Sequence, residues 1–294
     1  MRIHHLSCGT DCPVGGVLFD GRSKGPLAHL ICHCLLIETS AGLVLVDTGY
    51  GLRDVREPFP RLSRPFAAML NIRLREEETA RRQIERMGFS AADVRHIVIT
   101  HLDFDHAGGL EDFPHAKVHL TRAELETYRT RREGFVMRNR YRPMQVDEVR
   151  NWRPYDPQGE RWFGFGAVRQ LDGLPPEILL IPLRGHTWGH AGVAVETPDG
   201  WLLHAGDAYF YRDEVRRPDR RCTPGLRAYQ TMMEVDRAAR LANQERLRNL
   251  SLDRAAGVRM VCAHDVVEYE ACAAGAPMTA WAEGGPSSRK ARQR

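Results

Sequence analysis

Four side chains able to bind a metal fall within one six-residue span, at His101, Asp103, Asp105 and His106. They follow Ile97, Val98 and Ile99, a β-branched apolar run that suits a strand buried on both faces, and they precede Gly108-Gly109, where the backbone can turn sharply. Imidazoles and carboxylates in that order cannot all share one face of a strand or a helix, so the segment must be a loop curling around something. Bound cations would give the curl its reason. Taken alone, so short a motif reads as readily as a polar turn after a core strand.

Three further pieces follow in order: GHTWGH with His186 and His190, HAGDAY with Asp207, and CAHD with His264. Each comes just after an apolar run (EILLIPL, GWLLHAG, VRMVCA) and so places an imidazole or carboxylate at a strand end. LVLVDTG does the same for Asp47. This ordered set resembles the metallo-β-lactamase-fold hydrolases over roughly residues 31–269. The resemblance implies a four-layer αββα sandwich of two mixed β-sheets flanked by helices, with the site at one edge between the sheets. It also implies that His101, Asp103 and His186 hold one metal, that Asp105, His106 and His264 hold a second, and that Asp207 bridges them. Asp47 would support the loop from behind, and His190 would pack behind the site.

The family usually has histidine where this chain has Asp103, so HxDxDH stands in place of HxHxDH. Flavodiiron relatives carry the longer glutamate there, so a carboxylate does not abolish metal binding. Four neutral histidines and three carboxylates carry a charge of −3, which two divalent ions and one hydroxide neutralise. The cofactors expected are two divalent metal ions, zinc first. Manganese or iron are the alternatives, since an oxygen-richer ligand set holds harder ions relatively better. Asp103→His is expected to keep the fold and tighten the first metal.

Two such ions would generate a metal-bound hydroxide and polarise the bond under attack. No GxSxG elbow offers a serine nucleophile. Asp105 and Asp207 are the expected catalytic carboxylates. Tyr209 and Tyr211 are candidates to donate to a developing oxyanion or leaving group, or else packed aromatics. HLDFDHAGG, the tyrosines after Asp207 and the pair His264-Asp265 look most like the N-acyl homoserine lactonase branch, which points to a lactone, ester or thioester. The alternatives are a β-lactam or phosphoester hydrolase of the same fold, a di-iron redox protein, and a binding protein in which Asp103 marks lost catalysis.

The chain of 294 residues is 43% hydrophobic and 27% charged, ordinary for a globular enzyme. A net charge of +4 arises from 42 basic residues scattered among 38 acidic ones, so a nucleic-acid partner is not required. The partner expected is a small-molecule substrate, with a homodimer left open. No apolar run reaches membrane-spanning length and the start carries no h-region, which reads as a cytoplasmic protein without a membrane partner. Seven cysteines without a CxxC pair argue against a disulfide framework. One domain is expected over 1–283, with an aromatic- and arginine-rich insertion at 133–166 and a disordered basic tail at 284–294. The insertion could line a substrate pocket, form a subunit interface or cover a satellite cluster. Elsewhere the spacing predicts a hairpin through HLICHCLLIET and LVLVDTG, an amphipathic helix near 75–87, and a long helical stretch over 224–250.

Overall fold

The structure is a computed structural model that describes residues 1–130, 133–157, 160–168 and 170–275. The basic tail at 284–294 lies outside the described residues. Among those described, thirteen strands appear: β1 (Arg2–Asp11), β2 (Leu30–Thr39), β3 (Gly42–Val46), β4 (Ile72–Arg73), β5 (Val94–Val98), β6 (Lys117–Thr121), β7 (Trp152–Tyr155), β8 (Arg161–Trp162), β9 (Phe165–Gly166), β10 (Ile178–Pro182), β11 (Ala191–Thr197), β12 (Gly200–His204) and β13 (Val258–Val261).

Seven of them form one mixed sheet in the order β4-β1-β2-β3-β5-β6-β7. The expected hairpin is β2–β3, antiparallel, while β3, β5, β6 and β7 run parallel. The second sheet, β10-β11-β12-β13, is antiparallel except for its last pair. Parallel neighbours require both faces to be covered. That explains the uninterrupted apolar runs: Leu35, Ile37, Val44, Val46 and Val98 of the first sheet pack against Leu180, Val193, Val195 and Val261 of the second. The outer face of the first sheet is covered by Ala80 and Ile84 of the helix Ala80–Arg86 and by Leu125 and Tyr128 of the helix Arg122–Thr130. Leu247 and Leu250 of the helix Arg237–Leu252 cover the second sheet. Helix, sheet, sheet, helix is the layering expected.

The 133–166 stretch divides instead of forming one insertion. Its first part is a short helix, Phe135–Arg140, and a helical turn, Pro143–Val146, that pack beside the metal-ligand loop. Its middle supplies β7 to the first sheet, and the β8–β9 hairpin lays Trp162 and Phe165 into the core over the second. The helical stretch after Pro224 breaks into Pro224–Met233 and Arg237–Leu252, with Asp236 capping the second helix through Ala239 N.

Candidate metal centre

The seven expected ligands are all buried and converge where strands of both sheets end. His101, Asp103 and His186 form one group of ligand atoms within 4.8 Å of one another, and Asp105, His106 and His264 form another. Asp207 stands between them and divides its oxygens. Oδ2 lies 3.4 Å from His186 Nε2 and 3.7 Å from His101 Nε2, Oδ1 lies 3.3 Å from His106 Nε2 and 3.1 Å from His264 Nε2, and His264 Nε2 is also 3.3 Å from Oδ2. Ligands at about 2.0–2.1 Å from a shared tetrahedral ion would sit roughly 3.3 Å apart. His101 Nε2, His106 Nε2 and Asp207 Oδ1 are buried without a hydrogen-bond partner, a costly arrangement unless a cation takes those lone pairs.

Backbone geometry just beyond the strands aims these groups. Asp47 follows β3 in the left-handed region, φ 56°, which turns its carboxylate onto the next strand's exit. There it accepts from Thr100 N (2.7 Å), Thr100 Oγ1 (2.8 Å) and His106 Nδ1 (2.8 Å). Thr100 Oγ1, having donated to Asp47, accepts from His101 Nδ1 at 2.9 Å, and His264 Nδ1 donates to Ile31 O at 2.8 Å. With Nδ1 protonated, each of these three rings presents its Nε2 lone pair to the centre. His190 anchors the bridging residue: its Nδ1 donates to Leu183 O and its Nε2 accepts from Asp207 N at 2.9 Å. Gly206 must be glycine, because its φ is +53° and a Cβ would stand 2.7 Å from His190 Nε2.

Residues 28–256 match the family model of the metallo-beta-lactamase superfamily. A probable metallo-hydrolase of Mycobacterium tuberculosis is 38% identical over 271 residues, covering 92% of this chain and 82% of its own. The chain belongs to the metallo-beta-lactamase superfamily. An N-acyl homoserine lactonase of Bacillus cereus is 27% identical over 214 residues, covering 69% of this chain and 78% of the lactonase. In fold, the chain is similar to an N-acyl homoserine lactone hydrolase solved with N-hexanoyl-L-homoserine at its catalytic metal centre, with TM-score 0.68, 21% identity, and coverage of 92% and 95%. A dizinc quorum-quenching lactonase superposes with TM-score 0.57 at 16% identity, covering 90% of this chain and 89% of that one. Membership makes this chain a metallo-hydrolase in class.

Within that superfamily frame, two groups not singled out from sequence shape the centre. Glu124, buried at the first turn of its helix, accepts from Leu102 N, Tyr141 Oη, Thr187 Oγ1 and Gly189 N, so one carboxylate ties the His101 loop to the His186 loop. Burial pushes its carboxyl up, and the Thr187 hydroxyl opposes that. Arg140, fully buried at the end of the helix Phe135–Arg140, reaches the ligands themselves. Its Nε and Nη2 grip the two oxygens of Asp103 at 2.7 Å each, and Nη2 also lies 2.8 Å from His186 Nε2.

The field inside the cage is strong. Burial pushes the Asp103 carboxyl up, but Arg140 and His101 more than reverse this and hold it well below the carboxylate range. Asp207 is likewise lowered against burial, by His264, His106 and His186. His101 falls to about 4 through burial and the neighbouring His106, whereas His264 rises to about 9 because Asp207 outweighs its burial.

The tyrosine expectation is corrected for Tyr209. Its hydroxyl points away from the ligands and donates to Glu268, 3.0 Å from Oε2 and 3.2 Å from Oε1. Tyr211 is half-buried under the Arg212 guanidinium and borders a cleft that also touches Phe210 and His264. Phe210 is the member of that run that meets the ligands, stacked on His264 with centroids 5.0 Å apart. A different phenol enters from the helix Pro224–Met233: Tyr229 packs edge-on to Phe210, and burial followed by the charges of Asp105, Asp103 and Asp207 raises its pKa. Among the described residues no helix is long and apolar enough to cross a membrane. All seven cysteines are free thiols.

Proposed function

We propose that the chain hydrolyses a lactone, ester or thioester by metal-dependent attack of water, and that a lactone is the substrate class it serves. The observation that carries the reading is Asp207, whose two oxygens meet the Nε2 atoms of four histidines from one buried position. Asp105, His106, His264 and Asp207 would hold a divalent ion, zinc being our assignment, on one side; His101, Asp103 and His186 complete the other half of the cage. A bound divalent ion supplies an acidified water at neutral pH and polarises the carbonyl under attack.

The chain's own groups supply the remainder. Asp47, Thr100 and Ile31 fix the ring tautomers, so no lone pair is lost to an inward N–H. Phe210 lies flat against His264 and keeps bulk water off that side of the cage, which strengthens the electrostatics within. Asp105 Oδ2 stands 3.7 Å from His264 Nε2 and 3.9 Å from His106 Nε2, farther out than Asp207, so we assign it the proton delivered to the leaving alkoxide. Tyr229 takes the oxyanion-donor role first sought in Tyr209 and Tyr211.

The lactonase names of the relatives support this choice over the other hydrolases of the fold. A panel of acyl homoserine lactones, aryl esters, thioesters, β-lactams and phosphodiesters tests it. The account expects turnover of lactones or esters by metal-loaded protein. Turnover confined to β-lactams or phosphodiesters would reject the substrate class, and no turnover of any member would reject the hydrolase.

A further inference from the structure

Arg140 uses every donor it has. A guanidinium carries five N–H groups, and here Nε goes to Asp103 Oδ1, Nη2 to Asp103 Oδ2 and His186 Nε2, and Nη1 to Met233 O (2.8 Å) and His186 O (3.2 Å). Two of those acceptors, Asp103 Oδ2 and His186 Nε2, are atoms the superfamily pattern would give to the first metal ion. A carboxylate oxygen has lone pairs to share, but an imidazole nitrogen has one. It accepts a hydrogen bond or binds a metal, never both.

A second observation concerns the same ring. His101, His106 and His264 all have Nδ1 tied to an acceptor, as metal-binding imidazoles almost always do. His186 Nδ1 is buried with no partner. The ring is therefore oriented through Nε2, by Arg140 at 2.8 Å and Asp103 Oδ2 at 3.0 Å, and not through Nδ1 by the protein behind it.

We propose that the Arg140 guanidinium is the resident cation beside Asp103 and His186, so that this chain holds one tight divalent ion, among His101, Asp105, His106, Asp207 and His264, in place of two. This also gives Asp103 its reason, because a carboxylate pairs with a guanidinium in the two-pronged geometry that the usual histidine cannot offer. The inference rests on the metallo-hydrolase reading but is separable from it.

The test is metal content and binding stoichiometry of the full chain, by elemental analysis and calorimetric titration with zinc. Wild type is expected to take up one tight equivalent per chain, and Arg140→Met, which keeps the stem and removes every donor, two. Two tight equivalents in wild type, or one in well-folded Arg140→Met, overturns the proposal while leaving a metallo-hydrolase. No tight equivalent in wild type overturns both. Manganese-loaded wild type supplies a readout that needs no variant: its electron paramagnetic resonance spectrum should be that of an isolated ion, and the exchange-coupled spectrum of a carboxylate-bridged pair would refute the single-ion state.

Discussion

Asp103→His is the perturbation that separates the sequence-based account from the structural one. From sequence it restores the commoner ligand and should be mild. In the structure it removes the carboxylate that accepts two charge-assisted hydrogen bonds from a guanidinium with no exposure to solvent. His186 Nε2, His186 O and Met233 O remain as acceptors, and none of them carries a charge to offset the cation. Removing one partner of a buried ion pair costs about 3–5 kcal/mol, a large share of the roughly 5–15 kcal/mol that holds a protein folded. Urea unfolding of the metal-free chain, followed by far-UV circular dichroism, should show a loss of that size. Asp103→His/Arg140→Met should recover most of it, giving a coupling energy of about 2 kcal/mol or more in a double-mutant cycle. Additive effects of the two changes would refute the reasoning, as would a neutral single variant.

Other outcomes follow from the same geometry. Asp47→Asn should weaken metal binding about 10–100-fold in a chelator competition with little change in fold, because His106 loses the charged acceptor behind it; unchanged affinity would show that Thr100 and the backbone suffice to orient the loop. Tyr209→Phe should leave hydrolysis intact, whereas Tyr229→Phe should lower kcat about tenfold or more; the reverse ranking would contradict the placement of the two phenols. Acid should destabilise the fold through histidines buried in neutral form. His119 is lowered to about 3, by burial and then by His96, and His5 to about 4, by burial and then by His204. Below about pH 6.5 the unfolded chain takes up protons that the fold refuses, so stability falls as pH drops from there towards 4, by up to about 1.4 kcal/mol per pH unit for each group. Urea midpoints measured between these limits should decline, and His119→Gln should flatten the decline; an unchanged slope would remove His119 as a contributor.

The convergence of the seven candidate residues was legible because each follows an apolar run that reads as a strand, so chemistry and position were written in the same few residues. The sandwich itself came from resemblance, and the structure supplies its physical basis in the parallel neighbours β3, β5, β6 and β7, which need cover on both faces. Tyr209 misled because it lies in a turn beyond β12, where no regular period says which side chain faces the site, and the turn puts Phe210 against His264. Tyr229 lies within the helical stretch read over 224–250, where nothing in its spacing marks it out from its neighbours. Arg140 was one arginine among many in the 133–166 stretch. What could have raised it from sequence is Asp103 itself, since a carboxylate in place of a neutral ligand asks for a compensating cation. Glu124 gave no such signal, because a helical glutamate is ordinarily solvated.

The central claim is that hydrolysis happens at the cage Asp207 divides. Lactone opening releases an acid, so it can be followed by pH-stat titration for the chain as purified, after chelation, after zinc is restored, and for Asp207→Ala treated identically. The account predicts turnover that chelation abolishes and zinc restores, and none in Asp207→Ala at any zinc concentration that leaves its circular dichroism unchanged. Turnover that survives chelation, or that persists in folded Asp207→Ala, would contradict it.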